Sequence, residues 1–188
     1  MAKWIEEGSE VHVCVFSTAE DSLPKGSRPT RLAEECHASL DVLGIRDDRR
    51  IVFRYPVRKL SYHRQDVLEN MVQLGQEIAP EWVVIPSGSD LHQDHATVHD
   101  EALRAFKHKT VLGYELPWNH ITFCASAFVT LERRHLDRKW EALTRYASQL
   151  ELGRPYFTKE FHESLARVRG LQVKSDWAEA FELIRVVF

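Results

Sequence analysis

The chain is 188 residues long, which suits a single domain with a sizeable hydrophobic core. Its 44% hydrophobic and 28% charged residues are ordinary for a soluble globular protein. The formal net charge of -3 gives no basic surface of the kind that nucleic-acid binding requires, and no apolar run is long enough to span a bilayer.

The amino terminus and the cysteines indicate a cytoplasmic protein. The first residues, Met-Ala-Lys-Trp-Ile-Glu-Glu-Gly, are charged and amphipathic, unlike a signal peptide. Cys14, Cys36 and Cys124 are odd in number and far apart, and their neighbours are mostly apolar. This pattern is typical of reduced thiols that pack as small hydrophobic residues.

The amino-terminal part of the chain predicts a helix, a strand and a second helix. Residues 1–7 have the pattern of the last two turns of a helix, with Gly8 as its stop. The run Val11–Phe16 is apolar on both faces, as strands of a parallel sheet are. A second helix is expected from Thr30 to Leu43, because apolar residues recur at helical spacing and Gly44 follows.

The rest of the chain continues the alternation of strands and helices. Strands are expected at Ile51–Tyr55, Trp82–Ile85, Thr110–Tyr114, Ala127–Leu131 and Ala178–Val187. Helices are expected at residues 62–79, about 92–107, 133–150, and about 158–169 with Gly170 as the stop. This order predicts a Rossmann-like α/β fold, a three-layer sandwich with a mainly parallel sheet, formed as one domain over residues 1–188.

The stretch from Glu81 to His99 has the strongest functional signal in the sequence. An apolar strand between Pro80 and Pro86 is followed by the loop Ser87-Gly-Ser-Asp90 and then by a helical pattern. Three histidines and two aspartates therefore lie where a strand ends and a helix begins. In open α/β sheets this is the usual place for a binding crevice.

Within this stretch, His92, Asp94 and His95 form the candidate site. A neutral imidazole is a common metal ligand, and a neighbouring carboxylate can hold a histidine in one tautomer and stabilise its protonated form. His95 and His99 are four residues apart and share one face of the helix. A solvated polar helix start, capped by Asp90 or Asp94, is the simpler interpretation, but the clustering after a buried strand favours a functional site.

Arg31 is a second candidate, expected in the first turn of a helix near the same crevice. A cation in that position is unfavourable with the helix dipole. Either Arg31 is a solvated surface arginine, or it reaches an anionic or hydroxyl-rich substrate.

Several enzyme classes are disfavoured because their motifs are missing. The sequence has no glycine-rich loop for a dinucleotide or a nucleoside triphosphate, no Gly-x-Ser-x-Gly elbow, and no paired Cys-x-x-Cys for a structural zinc.

The segment Asp90-Leu-His-Gln-Asp-His-Ala-Thr-Val-His99 resembles the second motif of the PIG-L/LmbE-like family of zinc-dependent N-acetyl sugar deacetylases. The usual form in that family is His-Pro-Asp-His, and Gln93 stands here in the place of the proline. Arg31-Leu-Ala-Glu34 resembles the family's Arg-x-x-Glu helix, and Ala178–Arg185 resembles its closing Glu-Ala-Phe-x-x-x-Arg segment. The resemblance extends over nearly the whole chain.

The resemblance implies a role for each matched residue. His95 matches the metal-binding histidine, and zinc would be the cofactor. His92 matches the histidine that, as a positively charged imidazole, stabilises the oxyanion or protonates the leaving amine. Asp94 would orient and charge-balance His92, and Arg31 matches an arginine that contacts the substrate. The implied reaction removes an acetyl group from an N-acetylglucosamine-type sugar or glycoconjugate in polysaccharide or glycolipid synthesis.

The family's first motif, His-Pro-Asp-Asp-Glu, does not occur in this sequence. In the family it follows the first strand and supplies two of three metal ligands and the general base. We favour an N-terminally shortened deacetylase that lacks its first strand, because the histidine cluster is present. The alternatives are a non-catalytic α/β protein that binds sugars or partners, and a metal site completed by local groups such as His99, His12 or Asp90.

The expected partner is an N-acetyl amino sugar, with no nucleic acid and no membrane span. A missing central strand would leave an open apolar edge beside Val11–Phe16. Such an edge invites pairing with another chain, so a homo-oligomer is also expected.

Overall fold

The computed structural model describes all residues from 1 to 188, and the protein is a mixed α/β fold. The helices are α1 (Ala2–Glu6), α2 (Arg31–Leu43), α3 (Arg64–Ile78), α4 (Gln93–Ala105), α5 (Arg133–Leu143), α6 (Ala147–Glu151) and α7 (Lys159–Gln172). The strands are β1 (Val13–Val15), β2 (Arg50–Val52), β3 (Trp82–Pro86), β4 (Thr110–Tyr114), β5 (Ala127–Leu131) and β6 (Trp177–Arg185).

The chain divides into two compact units. The first consists of Met1–Val57 and Thr130–Glu179, and the second consists of Arg58–Val129 and Ala180–Phe188. The expected single deacetylase domain over residues 1–188 stays a prediction.

The first unit is built around the parallel pair β1 and β2, with Val13 opposite Arg50. Helix α2 contributes Cys36 and Leu40 to a buried cluster with Ile45. The side chains that pack against this cluster are Ile5, Val11, Val13, Val15, Leu43 and Tyr146. The apolar stripe that predicted α2 is therefore the face that the helix buries.

The second unit contains the parallel pair β3 and β4, in register from Trp82 opposite Thr110 to Pro86 opposite Tyr114. Strand β6 pairs antiparallel with β4, and the full strand order of this sheet is β3-β4-β6-β5. The buried core includes Ile85, Val111 and Leu112 from the strands, Val67 and Met71 from α3, and Ala102 from α4. Because β3 and β4 are parallel, the loops that follow them leave the same edge of the sheet.

Two expectations about helices are corrected. The long helix expected at residues 133–150 is interrupted: α5 ends at Leu143 and α6 starts at Ala147, where the carboxylate of Glu35 accepts the backbone N–H of Ser148 at 2.9 Å. Gly170 does not end the next helix, since α7 continues to Gln172. Instead, a Cβ atom at Gly170 would lie 2.7 Å from the carbonyl oxygen of Ser175, so this glycine allows a close backbone approach.

Two strands are shorter than expected: β1 covers Val13–Val15 instead of Val11–Phe16, and β2 covers Arg50–Val52 instead of Ile51–Tyr55. Cys14, Cys36 and Cys124 are free thiols. None of the helices has both the length and the apolar composition needed to cross a membrane.

Candidate active site

The candidate site lies at the carboxyl ends of β3 and β4. The loop after β3 leads into α4, and the loop after β4 runs beside it. The two are joined where the backbone N–H of Leu91 donates to the carbonyl oxygen of Asn119 at 3.0 Å. This arrangement brings His92, Asp94 and His95 together at the start of α4.

His95 is held by the buried carboxylate of Asp90. One oxygen of Asp90 accepts the backbone N–H of His92 at 2.8 Å, and the other lies 2.8 Å from Nδ1 of His95. The side-chain amide of Asn119 donates to this second oxygen at 3.4 Å. Because an ionised carboxylate only accepts hydrogen bonds, the proton of neutral His95 is assigned to Nδ1, and Nε2 presents a lone pair. A carboxylate in this position typically orients a metal-ligating histidine.

His92 caps the amino terminus of α4. Its Nδ1 accepts the backbone N–H of Asp94 at 3.2 Å, so the proton of the neutral ring is assigned to Nε2. Burial lowers the pKa of His92 and the nearby His95 lowers it further, while the charges of Asp94 and Asp90 act in the opposite direction. The lowered pKa favours the neutral form of His92 with its proton on Nε2, and the positively charged imidazole expected from the sequence stays a prediction. Its ring centroid lies 4.5 Å from that of His95.

Asp94 is buried, and its carboxylate accepts hydrogen bonds from the backbone of a loop that is distant in sequence. It accepts the backbone N–H of Arg58 and, at 3.1 Å, the backbone N–H of Leu60. The hydrogen bond to the ring of His92 comes from the backbone N–H of Asp94, and a role of the Asp94 side chain in orienting His92 stays a prediction. The negative charge of Asp94 still raises the pKa of His92.

The loop before Asp90 is anchored to β6. Ser87 donates its hydroxyl proton to Glu182 at 2.7 Å, and the backbone N–H of Gly88 donates to the same oxygen at 3.2 Å. A Cβ atom on Gly113 of β4 would lie 3.0 Å from Cα of Ser87, so glycine lets the two backbones approach closely here. The position of Asp90, and through it of His95, therefore depends on a third strand.

Arg31 belongs to the first unit, whereas the histidine cluster belongs to the second. Its guanidinium binds two carboxylates, Glu35 at 3.1 Å and Glu151 at 2.6 Å. These partners offset the unfavourable position of a cation in the first turn of α2. A role in contacting substrate stays a prediction.

The side chains of this chain do not form a complete zinc site. No group of three histidine, cysteine, aspartate or glutamate side chains is placed to hold a metal ion. His99 donates from Nδ1 to the carbonyl oxygen of Pro86 at 2.8 Å, and His12 pairs with Glu10 in the first unit. Three protein ligands are usual for catalytic zinc, and His95 as one such ligand stays a prediction.

Sequence reasoning missed two contributions to the site. Asp90 was expected as a cap or a ligand, and its hydrogen bond to His95 was not foreseen. Asn119 was not singled out, although it follows the strand next to β3 and the carboxyl ends of neighbouring parallel strands meet at one edge. Asn119 could have been placed beside Asp90 only if β3 and β4 were known to be neighbouring strands.

Comparison with solved structures identifies the fold. Conserved protein TT1542 from Thermus thermophilus has a TM-score of 0.81 and 20% identity, covering 100% of this chain and 87% of that chain. N,N'-diacetylchitobiose deacetylase from Pyrococcus horikoshii has a TM-score of 0.77 and 16% identity, covering 96% of this chain and 75% of that chain. GalB, the 4-carboxy-2-hydroxymuconate hydratase from Pseudomonas putida KT2440, has a TM-score of 0.75 and 20% identity, covering 100% and 90%.

At these identities the likeness shows the fold alone, and it confirms the Rossmann-like α/β class expected from the sequence. The hydratase shows that this fold is not restricted to one reaction. No match was found among curated protein sequences. The family described as PIG-L, GlcNAc-PI de-N-acetylase, matches residues 1–106, more than half of the chain. The protein therefore belongs to the PIG-L family.

Proposed function

We propose that the protein is an N-deacetylase that removes the acetyl group from an N-acetylglucosamine-type sugar or glycoconjugate, in polysaccharide or glycolipid synthesis in the cytoplasm. The observation that carries the proposal is the pair of histidines at the start of α4. His95 is oriented by buried Asp90, and His92 is fixed as an Nε2–H donor. Family membership supports the reaction class.

His92 is the residue that we propose takes part in the chemistry. In amide hydrolysis a water oxygen adds to the carbonyl carbon as the water gives up a proton, and negative charge develops on the carbonyl oxygen. The carbon–nitrogen bond then breaks as the nitrogen takes up that proton. A fixed N–H donor aimed at the developing charge lowers the barrier. His92 meets this requirement while neutral, because the cap on α4 occupies Nδ1 and leaves Nε2–H as the donor.

His95 is the residue that we propose binds zinc. Its Nε2 lone pair and its carboxylate partner suit a metal ligand. A catalytic zinc site needs two further protein ligands, which the described side chains do not bring together. We therefore derive no catalytic step from a metal ion in this chain.

The second candidate function is a non-catalytic protein that binds a sugar or a partner. The missing three-ligand group favours it. The two candidates differ in their dependence on His95. If His95→Ala leaves zinc binding and N-acetylglucosamine binding unchanged, the histidine cluster is not a working site and the second candidate stands.

The experiment measures acetate release from N-acetylglucosamine and N,N'-diacetylchitobiose, with added zinc, by the wild type and His92→Asn. Asparagine is a strong N-cap, so the variant keeps the start of α4 while it loses the imidazole donor. We expect a rate loss of about a hundredfold or more. His108→Asn, at an exposed histidine outside the site, is the matched control. If the wild type releases no acetate from any N-acetyl hexosamine, the deacetylase proposal fails.

A further inference from the structure

Arg58 has an unusual backbone conformation beside the candidate site. Its φ angle is 65°, in the left-handed region that is sterically unfavourable for a residue with a Cβ atom. The conformation is held by Asp94, whose carboxylate accepts the backbone N–H of Arg58 and that of Leu60. Such residues cluster at functional sites, where the surrounding structure holds them in place.

The guanidinium of Arg58 has no ion-pair partner. By contrast, Arg64 in the same unit is paired with the fully buried carboxylate of Glu101. Asp94 binds the backbone of Arg58 and not its guanidinium, so the cation is left exposed. An exposed guanidinium presents parallel N–H donors that suit a phosphate or a carboxylate.

Asp94 links this cation to His92. Its carboxylate holds the backbone of Arg58, and its backbone N–H holds the ring of His92. The positive charge of Arg58 is also near enough to act on His92, where burial and His95 are the larger causes of the lowered pKa. One buried residue therefore sets the positions of both groups, within the same compact unit.

We propose that Arg58 binds an anionic group of the substrate, a phosphate or a carboxylate carried by the N-acetyl amino sugar, beside His92. This inference rests on the proposed function and adds a substrate class to it. The anion fixes the sugar through a group that does not react, while His92 faces the acetamide. Binding at a distance from the reacting centre orients a substrate for reaction.

The test compares binding of N-acetylglucosamine 1-phosphate and of neutral N-acetylglucosamine to the full chain by isothermal titration calorimetry. A charge-assisted hydrogen bond predicts that the phosphorylated sugar binds about ten- to a hundredfold more tightly to the wild type. Arg58→Ala should reduce this preference to about threefold or less. Lys59→Ala removes an exposed cation from the adjacent residue and should keep the preference. N-acetylmuramic acid, which carries a carboxylate, shows which of the two anions is preferred.

The variant Arg58→Gly distinguishes the effect of the guanidinium charge from the effect of the backbone conformation. Glycine adopts a φ of 65° without strain, so this variant should be at least as stable as the wild type and should still lose the preference for the anionic sugar. Retention of the preference in both Arg58 variants overturns the inference. Equal binding of the two sugars by the wild type, or no binding of the phosphorylated one, also overturns it.

Failure of the inference and failure of the proposed function give different results. Acetate release from the neutral sugar at equal rates in the wild type and Arg58→Ala, with no preference for the anionic sugar, leaves the deacetylase and removes the anion site. Arg58-dependent binding of the phosphorylated sugar without acetate release leaves the anion site and removes the deacetylase.

Discussion

Replacement of Asp94 by alanine is expected to destabilise the protein strongly. The Asp94 carboxylate accepts two backbone N–H groups from a loop that lies 34 and 36 residues earlier in the chain. The N–H of buried Leu60 would lose its partner without access to water, whereas the N–H of exposed Arg58 would be solvated. Loss of the hydrogen bond to Leu60 should therefore lower the free energy of unfolding by its full contribution. Loss of the hydrogen bond to Arg58 should lower it by only part of that contribution.

The magnitude follows from these two bonds. A hydrogen bond to a charged group contributes about 1.5–3 kcal/mol, so a full loss at Leu60 and a partial loss at Arg58 sum to roughly 3 kcal/mol. With a urea slope of about 2 kcal/mol per molar, the unfolding midpoint should fall by roughly 1.5 M. Asp94→Asn keeps one acceptor and turns an amide N–H₂ toward the other donor, so its loss should be intermediate.

The assay is urea unfolding followed by circular dichroism, with hydrogen exchange of the Leu60 amide as a local probe. The matched control is Asp100→Ala, which removes an exposed carboxylate from the same helix. Its 3.7 Å contact with Arg64 predicts an effect below about 0.5 kcal/mol. If Asp94→Ala and Asp100→Ala unfold at the same urea concentration, Asp94 does not hold the loop as described.

Three further predictions concern other parts of the chain. Gly170→Ala should lower the free energy of unfolding by roughly 1–3 kcal/mol, although alanine favours helices, because the added Cβ would lie 2.7 Å and 2.8 Å from two carbonyl oxygens; a higher melting temperature would contradict this. Burial lowers the pKa of His162 to about 4 from 6.5, so the unfolded chain takes up the proton more readily. The stability from neutral His162 is complete above about pH 6.5 and is lost as the pH falls toward 4, by roughly 1–2 kcal/mol after allowance for partial exposure. Equal acid sensitivity in His162→Leu would refute this assignment. His92→Ala should cost about 1 kcal/mol through loss of the helix cap, while His92→Asn should not, and thermal unfolding of the two variants distinguishes these outcomes.

Local signals in the sequence were sufficient for many of the elements. Strands β4 and β5 have the expected bounds, and α2 begins after Thr30 and ends at Leu43 as expected. Gly44 follows α2 with a φ angle of 77°, the left-handed conformation that makes glycine a reliable helix stop. These features depend on residues that are close in sequence, so they can be predicted without knowledge of the tertiary structure.

Long-range contacts lie at the two helix positions that were predicted wrongly. Residues 133–150 have one continuous helical pattern, but the carboxylate of Glu35 binds the backbone N–H of Ser148 from 113 residues away. Gly170 reads as a stop, yet its function is to let the backbone at Ser175 approach α7. Neither partner can be identified from the spacing of apolar residues within the helix.

In the candidate site, too, some features follow from the local sequence and others from long-range contacts. His92, Asp94 and His95 lie within four residues of one another, so the sequence alone revealed the cluster and, through its motif, the family. The tertiary structure decided which nitrogen of the His92 and His95 rings is free, because the backbone of α4 and the carboxylate of Asp90 occupy the other nitrogen of each ring. It also placed the distant residues Asn119 and Arg58 beside the cluster. The physical reason is that residue types are encoded locally, whereas hydrogen-bond partners depend on which strands and loops become neighbours when the chain folds.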